Sequence, residues 1–380
     1  MRVRSFWRPP LWKWTVFLVL LAATVVLRWW KPAPRPIKIE LLPISDSFPA
    51  WDGSYPSVVV SLTSESGRVN FKSSVSLTKP TVQHVAPVNQ FEVALDSGMF
   101  KLRQTDIFVS DVIPLVLTRT YRTWQDFNEE FGVGASHPYD ICQIGNNHPY
   151  TYMDLELEDG RQFYFSRISK GTGYADAVYQ HYATSSEFYQ ARWAWNGTGW
   201  TLDLRDGREF LFPDSYHAKN CAQAAPIEMR DGEGHRIQLL RDKARNLEKL
   251  ISPSGHTITF KYDGSDRIKE AADDAGHIRR YAYNPLGRLE TVSDDARILY
   301  RFEYDDGVMT RITDGKRTEL LRNWYANFRR VSRQRLANGD VYRYDYLFDK
   351  KYNVVETTIR LPSGEVHRFF VNHGVASAAK

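Results

Sequence analysis

Cysteine is nearly absent. Cys142 and Cys221 are the only two in 380 residues, and no C-x-x-C pair is present to hold zinc. Two thiols can form one disulfide in an oxidising compartment or stay as buried thiols, and spacing alone does not choose between them. The common catalytic signatures are missing too: there is no H-E-x-x-H, no G-x-S-x-G and no G-x-x-x-x-G-K. The expectation is therefore of no catalytic set, no metal and no cofactor. Charge of one sign is not in excess, since 50 Lys and Arg stand against 45 Asp and Glu. That balance is too diffuse for nucleic acid, which is not expected as a partner, though it mildly favours anionic surfaces.

Long apolar runs are absent after residue 30, and the one before it is a membrane signal. The run from Leu11 to Leu27 is apolar except for Lys13 and two threonines, with Trp7, Trp12 and Trp14 at one end and Trp29 and Trp30 at the other. Tryptophan flanks are the aromatic belt of a helix crossing both lipid–water interfaces. Arg28-Trp29-Trp30-Lys31 is not a small-x-small cleavage site, so the reading is an uncleaved anchor rather than a signal peptide. Residues 1–30 are thus expected to be a cytoplasmic tail and transmembrane helix touching the lipid bilayer through residues 11–30. The basic residues on the two sides tie, and the short basic tail places the body in the periplasm or outside the cell. Pro32, Pro34 and Pro36 open a Pro/Ser/Thr-rich spacer over 31–90.

What is abundant is tyrosine at a fixed stride. Tyr262, Tyr283, Tyr304, Tyr325 and Tyr346 lie 21 residues apart, with Phe260, Tyr281, Phe302, Asn323 and Tyr344 two positions upstream. With 21 tyrosines in 380 residues, four further hits at a given stride have a chance of roughly 1 in 100,000, so this is an internal repeat. Arg267, Arg288, Met309, Arg330 and Lys351 follow each rung by five. Each unit reads as strand, tight turn, strand, because Ile258, Phe260 and Tyr262 alternate onto one face before Gly264-Ser265-Asp266. An unmarked copy precedes the ladder, with Arg241 where tyrosine is expected.

Upstream, Lys101 to Trp124 reads as two strands parted by Ser110-Asp111. Leu155–Phe165 and Leu202–Phe212 read as hairpins whose Asp159-Gly160 and Asp206-Gly207 suit a type I′ turn. Trp193, Trp195 and Trp200 flank a turn at Asn196–Gly199. His137, Asp140, His148 and Asp154 are close enough in sequence to supply an acid, a base or metal ligands, but polar turn residues are the commoner explanation.

Gly276-x-x-x-x-Tyr281-x-Tyr283-Asn284-x-x-Gly287-Arg288-Leu289 resembles the unit of the YD-repeat, or Rhs (rearrangement hot spot), proteins of bacterial surfaces and toxin delivery. Thr105-Asp106-Ile107, Arg119-Thr120-Tyr121 and Gly132-Val133-Gly134 resemble the domain that commonly precedes those repeats. The resemblance implies hairpins joined into a spiralling sheet that can curl into a shell. The self-cleavage motif that ends such a core is not found and no toxin domain follows, which points away from a complete toxin.

The fold expected is all-β: antiparallel 21-residue hairpin repeats in a curled or spiralling sheet over 229–375, an N-terminal β domain over 91–228 and one transmembrane helix. Tyr262, Tyr281, Tyr283, Tyr304, Tyr325, Tyr344 and Tyr346 are either a ligand-stacking stripe or a structural ladder. Arg267, Arg288 and Arg330 are candidate contacts for anionic groups. The function expected is a membrane-anchored, extracytoplasmic scaffold or binding protein, its partner a protein or an envelope polysaccharide. The alternatives are a split or degenerate component of an Rhs-type toxin system and, third, a carbohydrate-active envelope enzyme.

Overall fold

The computed structural model describes residues 89–378 apart from 124, 127, 146–148, 184–185, 373–374 and some terminal side chains. The expected span at 11–30 and the proline spacer lie outside the described residues. Among the described residues no helix is long and apolar enough to cross a membrane.

Every long element is a strand. A small antiparallel sheet is built from β1 (Asn89–Val93), β2 (Phe100–Val109), β3 (Leu115–Arg122) and β6 (Ala135–Ser136), with β4 (Asn128–Glu129) and β5 (Gly132–Val133) pairing beside it. A second antiparallel array starts with β7 (Cys142–Gly145), β8 (Tyr152–Glu156), β9 (Gln162–Arg167) and β10 (Val178–Gln180). It continues through β11 (Arg192–Trp195), β12 (Gly199–Asp203), β13 (Glu209–Pro213) and β14 (Glu228–Arg230). The repeats then add β15 (Arg236–Arg241), β16 (Leu247–Ile251), β17 (Thr257–Tyr262), β18 (Ile268–Asp273), β19 (Ile278–Tyr283) and β20 (Leu289–Ser293). They go on with β21 (Ile298–Asp305), β22 (Val308–Asp314), β23 (Glu319–Ala326), β24 (Arg330–Leu336), β25 (Val341–Phe348), β26 (Val354–Arg360), β27 (Val366–Asn372) and β28 (Val375–Ala378). Each strand of this array pairs with its sequence neighbour. Among the described residues no strand register joins β28 to β7, and the array runs as one continuous sheet from β7 to β28.

Aspartate chemistry makes the turns. In Asp263-x-x-x-Arg267 the Asp263 Oδ1 accepts from the backbone N–H of Ser265 and of Arg267 at 2.8 and 3.1 Å. Asn284 Oδ1 does the same for Leu286 and Arg288. An Asx side chain that mimics a backbone acceptor fixes the turn and its register. The Asp159-Gly160 hairpin departs from expectation. Only Gly160 has positive φ, its N–H donates to the Leu157 carbonyl, and the Leu157 N–H donates to the Arg161 carbonyl. That is a type I turn followed by a left-handed glycine, not type I′, and Asp206-Gly207 repeats it.

A β-bulge recurs at the same place in each hairpin. The register shifts between Leu240 and Arg241, Lys261 and Tyr262, Ala282 and Tyr283, Glu303 and Tyr304, and Trp324 and Tyr325. In the Tyr346 hairpin, β25–β26, it falls between Leu347 and Phe348 instead. Bulges bend a strand and raise its twist, so a bulge in every unit coils the sheet.

One face of β15–β27 packs against the small sheet. Leu102, Ile107, Leu117, Phe131 and Tyr139 share one buried core with Ile258, Tyr281, Phe302, Leu321, Tyr344 and Phe369. Thirteen strands laid flat would be about 58 Å wide, against roughly 34 Å for the ten-residue β2, at about 4.8 Å between strands and 3.4 Å per residue. A single core across that span therefore requires the repeat sheet to wrap around the small one. Residues 141–212 have a separate core around Trp193, Phe165, Tyr179 and Phe212.

Candidate functional site

The tyrosine ladder forms a chain of hydroxyl-to-backbone bonds. Tyr262 donates to the Leu247 carbonyl at 3.1 Å, Tyr283 to Ile268 at 2.6 Å and Tyr304 to Leu289 at 2.9 Å. Tyr325 donates to Met309 and Tyr346 to Val331, both at 2.7 Å. Each acceptor lies at or near the start of the preceding return strand, where the bulge interrupts the regular ladder. The five rings are half-buried against the main core, and Tyr281 and Tyr344 are buried in it. Burial holds all seven phenols well above their ordinary pKa.

The basic column packs onto the next rung. The Arg267 guanidinium lies 4.3 Å from the Tyr283 ring centroid and 2.7 Å from Asp263. Arg288 lies 5.7 Å from the Tyr304 ring and 3.4 Å from Asp126. Arg330 stacks 4.8 Å over Phe348 and donates from Nε to the Ser97 carbonyl at 2.9 Å. Tyrosine, Asx, glycine and arginine thus have four distinct jobs: reaching back one strand, capping the turn, taking positive φ and covering the following ring.

The motif residues of the small sheet dock it on this ladder. Arg119 is 0% exposed and pairs with Asp106 at 3.1 Å, while its Nη2 donates to Gln104 at 2.8 Å. Tyr281 donates its hydroxyl to the same Asp106 at 3.0 Å, and Phe302 lies 5.1 Å under the guanidinium. Burial works against the Arg119 charge, but Asp106 more than restores it, so its pKa is raised. The Tyr121 hydroxyl accepts the Met309 N–H at 3.1 Å, and its ring meets Tyr304 edge-on. Ile268 donates its N–H to the Glu130 carbonyl at 2.7 Å, and Val331 donates to the Gly98 carbonyl at 2.9 Å. Gly132 has φ +83°, and a Cβ there would lie 2.3 Å from the Gly287 carbonyl oxygen. Glycine is required at that point.

Arg241, the non-tyrosine of the first copy, holds the far end. Its side chain is buried, with Nη1 2.9 Å from Asp140 and Nη2 donating to the Tyr139 carbonyl at 2.6 Å. His137 Nε2 lies 3.5 Å from Asp140. Glu130 joins this group: burial first, then the Asp140 charge, pushes its carboxyl well up. Asp140 is held low against burial by His137 and Arg241, with a hydrogen bond from Glu130. Burial pushes the His137 imidazole down from its ordinary value, while Asp140 pulls against that shift. The two carboxyls are thus pushed in opposite directions, Glu130 up and Asp140 down. Of the four polar residues singled out at 137–154, His137 and Asp140 meet here, Asp154 lies apart on β8 and His148 is outside the described residues. Glu130 and Arg241 carry no sequence signal for this pairing; the broken column at 241 was the one available clue.

Cys142 and Cys221 form a disulfide with Cα atoms 5.2 Å apart. Glu156 lies beside them, and the three offer donor atoms within 4.8 Å, but both sulfurs are already bonded to each other.

Residues 92–165 match a family described as a domain of unknown function, DUF6531. The matched segment carries Asp106, Arg119, Tyr121 and Gly132, and the match is consistent with an Rhs/YD-repeat relationship. No curated protein matches. Among solved structures, the chain is similar to a TcdB2–TccC3–TEV crystal structure at 14% identity and TM-score 0.32, covering 76% of this chain and 16% of that one. It is also similar to TcdB2–TccC3 without the hypervariable C-terminal region, at 12% identity and TM-score 0.31, covering 73% and 19%. A porin-like protein from Bacteroides uniformis aligns at 10% identity and TM-score 0.20 over 74% of this chain and 94% of that one. The chain spans less than a fifth of the first two structures it matches.

Proposed function

We propose that this chain is a membrane-anchored, extracytoplasmic YD-repeat scaffold or binding protein whose partner is a protein or an envelope polysaccharide. The observation that carries the reading is the docking of residues 95–140 along one face of the repeat sheet. The aromatic ladder is spent on the chain's own strands, so that face is a filled body rather than an empty lumen. The sequence of residues 11–30 supports anchorage, and the Cys142–Cys221 disulfide supports an oxidising compartment. The full chain, held in detergent, is to be screened against envelope glycans and by crosslinking in cells. Saturable capture of one polymer or one protein supports the reading, and capture of neither sinks it. A reporter fused after Lys380 tests placement, since cytoplasmic signal there would reverse it.

The second reading is a component of an Rhs-type toxin system, supported by the repeat motif and the match at 92–165. It predicts co-purification with a separately encoded chain carrying further 21-residue repeats.

A further inference from the structure

A second aromatic assembly lies away from the ladder, in the part of the sheet formed by 141–228. A cavity of about 300 Å³ is walled by Tyr150, Tyr174, Trp195, Trp200 and Tyr179, with Asp214 at its rim. Its rings meet in sequence at steep angles. Tyr150 and Tyr174 are 6.0 Å apart at 58°, Tyr174 and Trp195 are 5.0 Å apart at 78°, and Trp195 and Trp200 are 5.4 Å apart at 78°. Trp200 and Tyr179 complete the series at 5.7 Å and 53°. A sugar ring is best served by one open, coplanar aromatic platform. Walls tilted 53–78° to one another instead make a box, which can present ring faces to a cation from several sides.

Two further observations point to a ligand. Tyr179 is 0% exposed, and its hydroxyl has no hydrogen-bond partner although it lines the cavity. A buried phenol without a partner costs free energy in the empty protein, and a ligand polar group can recover it. The charge of the lining is also one-sided, because it holds one carboxylate and no Lys, Arg or His. The nearby Arg167 does not line the cavity, and its donors are taken by the Tyr150, Ser169, Lys170 and Gly173 carbonyls and by Asp176.

We infer that this cavity binds an organic ammonium group, its positive centre enclosed by Tyr150, Tyr174, Trp195 and Trp200 and balanced by Asp214. The group comes either from a free small cation or from a lipid head group, and the recognised chemistry is the same. The inference goes beyond the scaffold reading and does not depend on membrane anchorage.

The test is calorimetry on the full chain in a polyoxyethylene detergent, which carries neither sugar nor ammonium. The probes are choline, its neutral isostere 3,3-dimethylbutan-1-ol, the soluble lipid dihexanoylphosphocholine, and cellobiose. Choline is expected to bind at least about tenfold more tightly than the isostere, the factor that roughly 1.4 kcal/mol of cation–π and charge attraction supplies. Asp214→Asn, on an exposed rim, and Trp195→Ala are each expected to weaken choline about three- to tenfold. Tighter binding of the short-chain lipid than of choline assigns the head-group source, and equal binding assigns the free solute. Equal affinity for choline and its isostere overturns the inference. So does binding of cellobiose with none of choline, or the absence of binding by every probe while circular dichroism shows a folded chain.

Discussion

Arg241 occupies the rung where the repeat would place a tyrosine, and its guanidinium reaches Asp140, 101 residues upstream, at 2.9 Å. Both side chains are almost wholly buried. Removing one partner of a buried ion pair leaves an uncompensated charge, which costs about 3–5 kcal/mol. Arg241→Met is therefore expected to lower stability by that order, and Arg241→Tyr, which restores the repeat pattern, to fare no better. Asp140→Asn combined with Arg241→Met should recover part of the loss. Urea unfolding of the parent, Asp140→Asn, Arg241→Met and the double variant decides it, and additive losses would mean the pair is not coupled.

The ladder hydroxyls predict a smaller, uniform effect. Tyr283→Phe and Tyr346→Phe keep the ring and leave the Ile268 or Val331 carbonyl without its donor. A loss of about 1–3 kcal/mol each is expected. Tyr283→Ala adds a cavity and should lose about 3–5 kcal/mol. A Phe variant as stable as the parent would show that the ring alone maintains the ladder.

Gly132 and Gly276 separate backbone strain from collision. Both have positive φ, but a Cβ at Gly276 meets nothing within 4 Å, whereas at Gly132 it would strike the Gly287 carbonyl at 2.3 Å. Gly276→Ala should cost about 1–2 kcal/mol from conformation alone. Gly132→Ala should cost clearly more and loosen residues 95–140, seen as faster amide exchange there. Equal losses would contradict the docking described.

Glu187 predicts a pH trend. Burial pushes its carboxyl up to about 7 even though Arg208 lies 3.3 Å away and pulls it down. Unfolded, it ionises near its ordinary value of about 4.5, so between pH 4.5 and 7 the folded chain binds more protons. Stability on this account falls as pH rises through that window. Glu187→Gln should flatten the slope of Tm between pH 5 and 7, and an unchanged slope would count against the burial.

The Cys142–Cys221 bridge spans 79 residues. A closed loop of that length stabilises by about 4.5 kcal/mol through the unfolded state on the chain-entropy relation. Cys142→Ser with Cys221→Ser is expected to lower the urea midpoint accordingly, whereas a reductant should leave the double variant untouched.

The hairpins and the stride were readable because period-2 alternation and Asx-Gly turns are local. Residues 155–165 and 202–212 pair as their alternation implies. The turn type at Asp159-Gly160 was not readable, because the same dipeptide serves a type I turn with a left-handed glycine. The bulge at each rung was invisible for a different reason. It shows in pairing and not in spacing, since the 21-residue count already includes the extra residue. Arg119 on Asp106 and Arg241 on Asp140 join residues 13 and 101 apart, with no pattern linking them. The cavity around Trp195 and Trp200 sets strand residues of β10, β11 and β12 against Tyr150, Tyr174 and Asp214 from loops, an approach no period encodes.

The bond from Thr357 to the Leu95 carbonyl closes a separation of 262 residues. The docking strands are made first, and the last hairpin that holds them is made last. At about 5–20 residues per second of synthesis, the N-terminal strands wait on the order of ten seconds or more for their final partners. A topology dominated by such distant pairs folds slowly. Until then Phe100, Leu102 and Leu117 have no cover, so the growing chain depends on something else to shield them, and truncation within the last hairpins should yield an aggregating protein rather than a shorter scaffold.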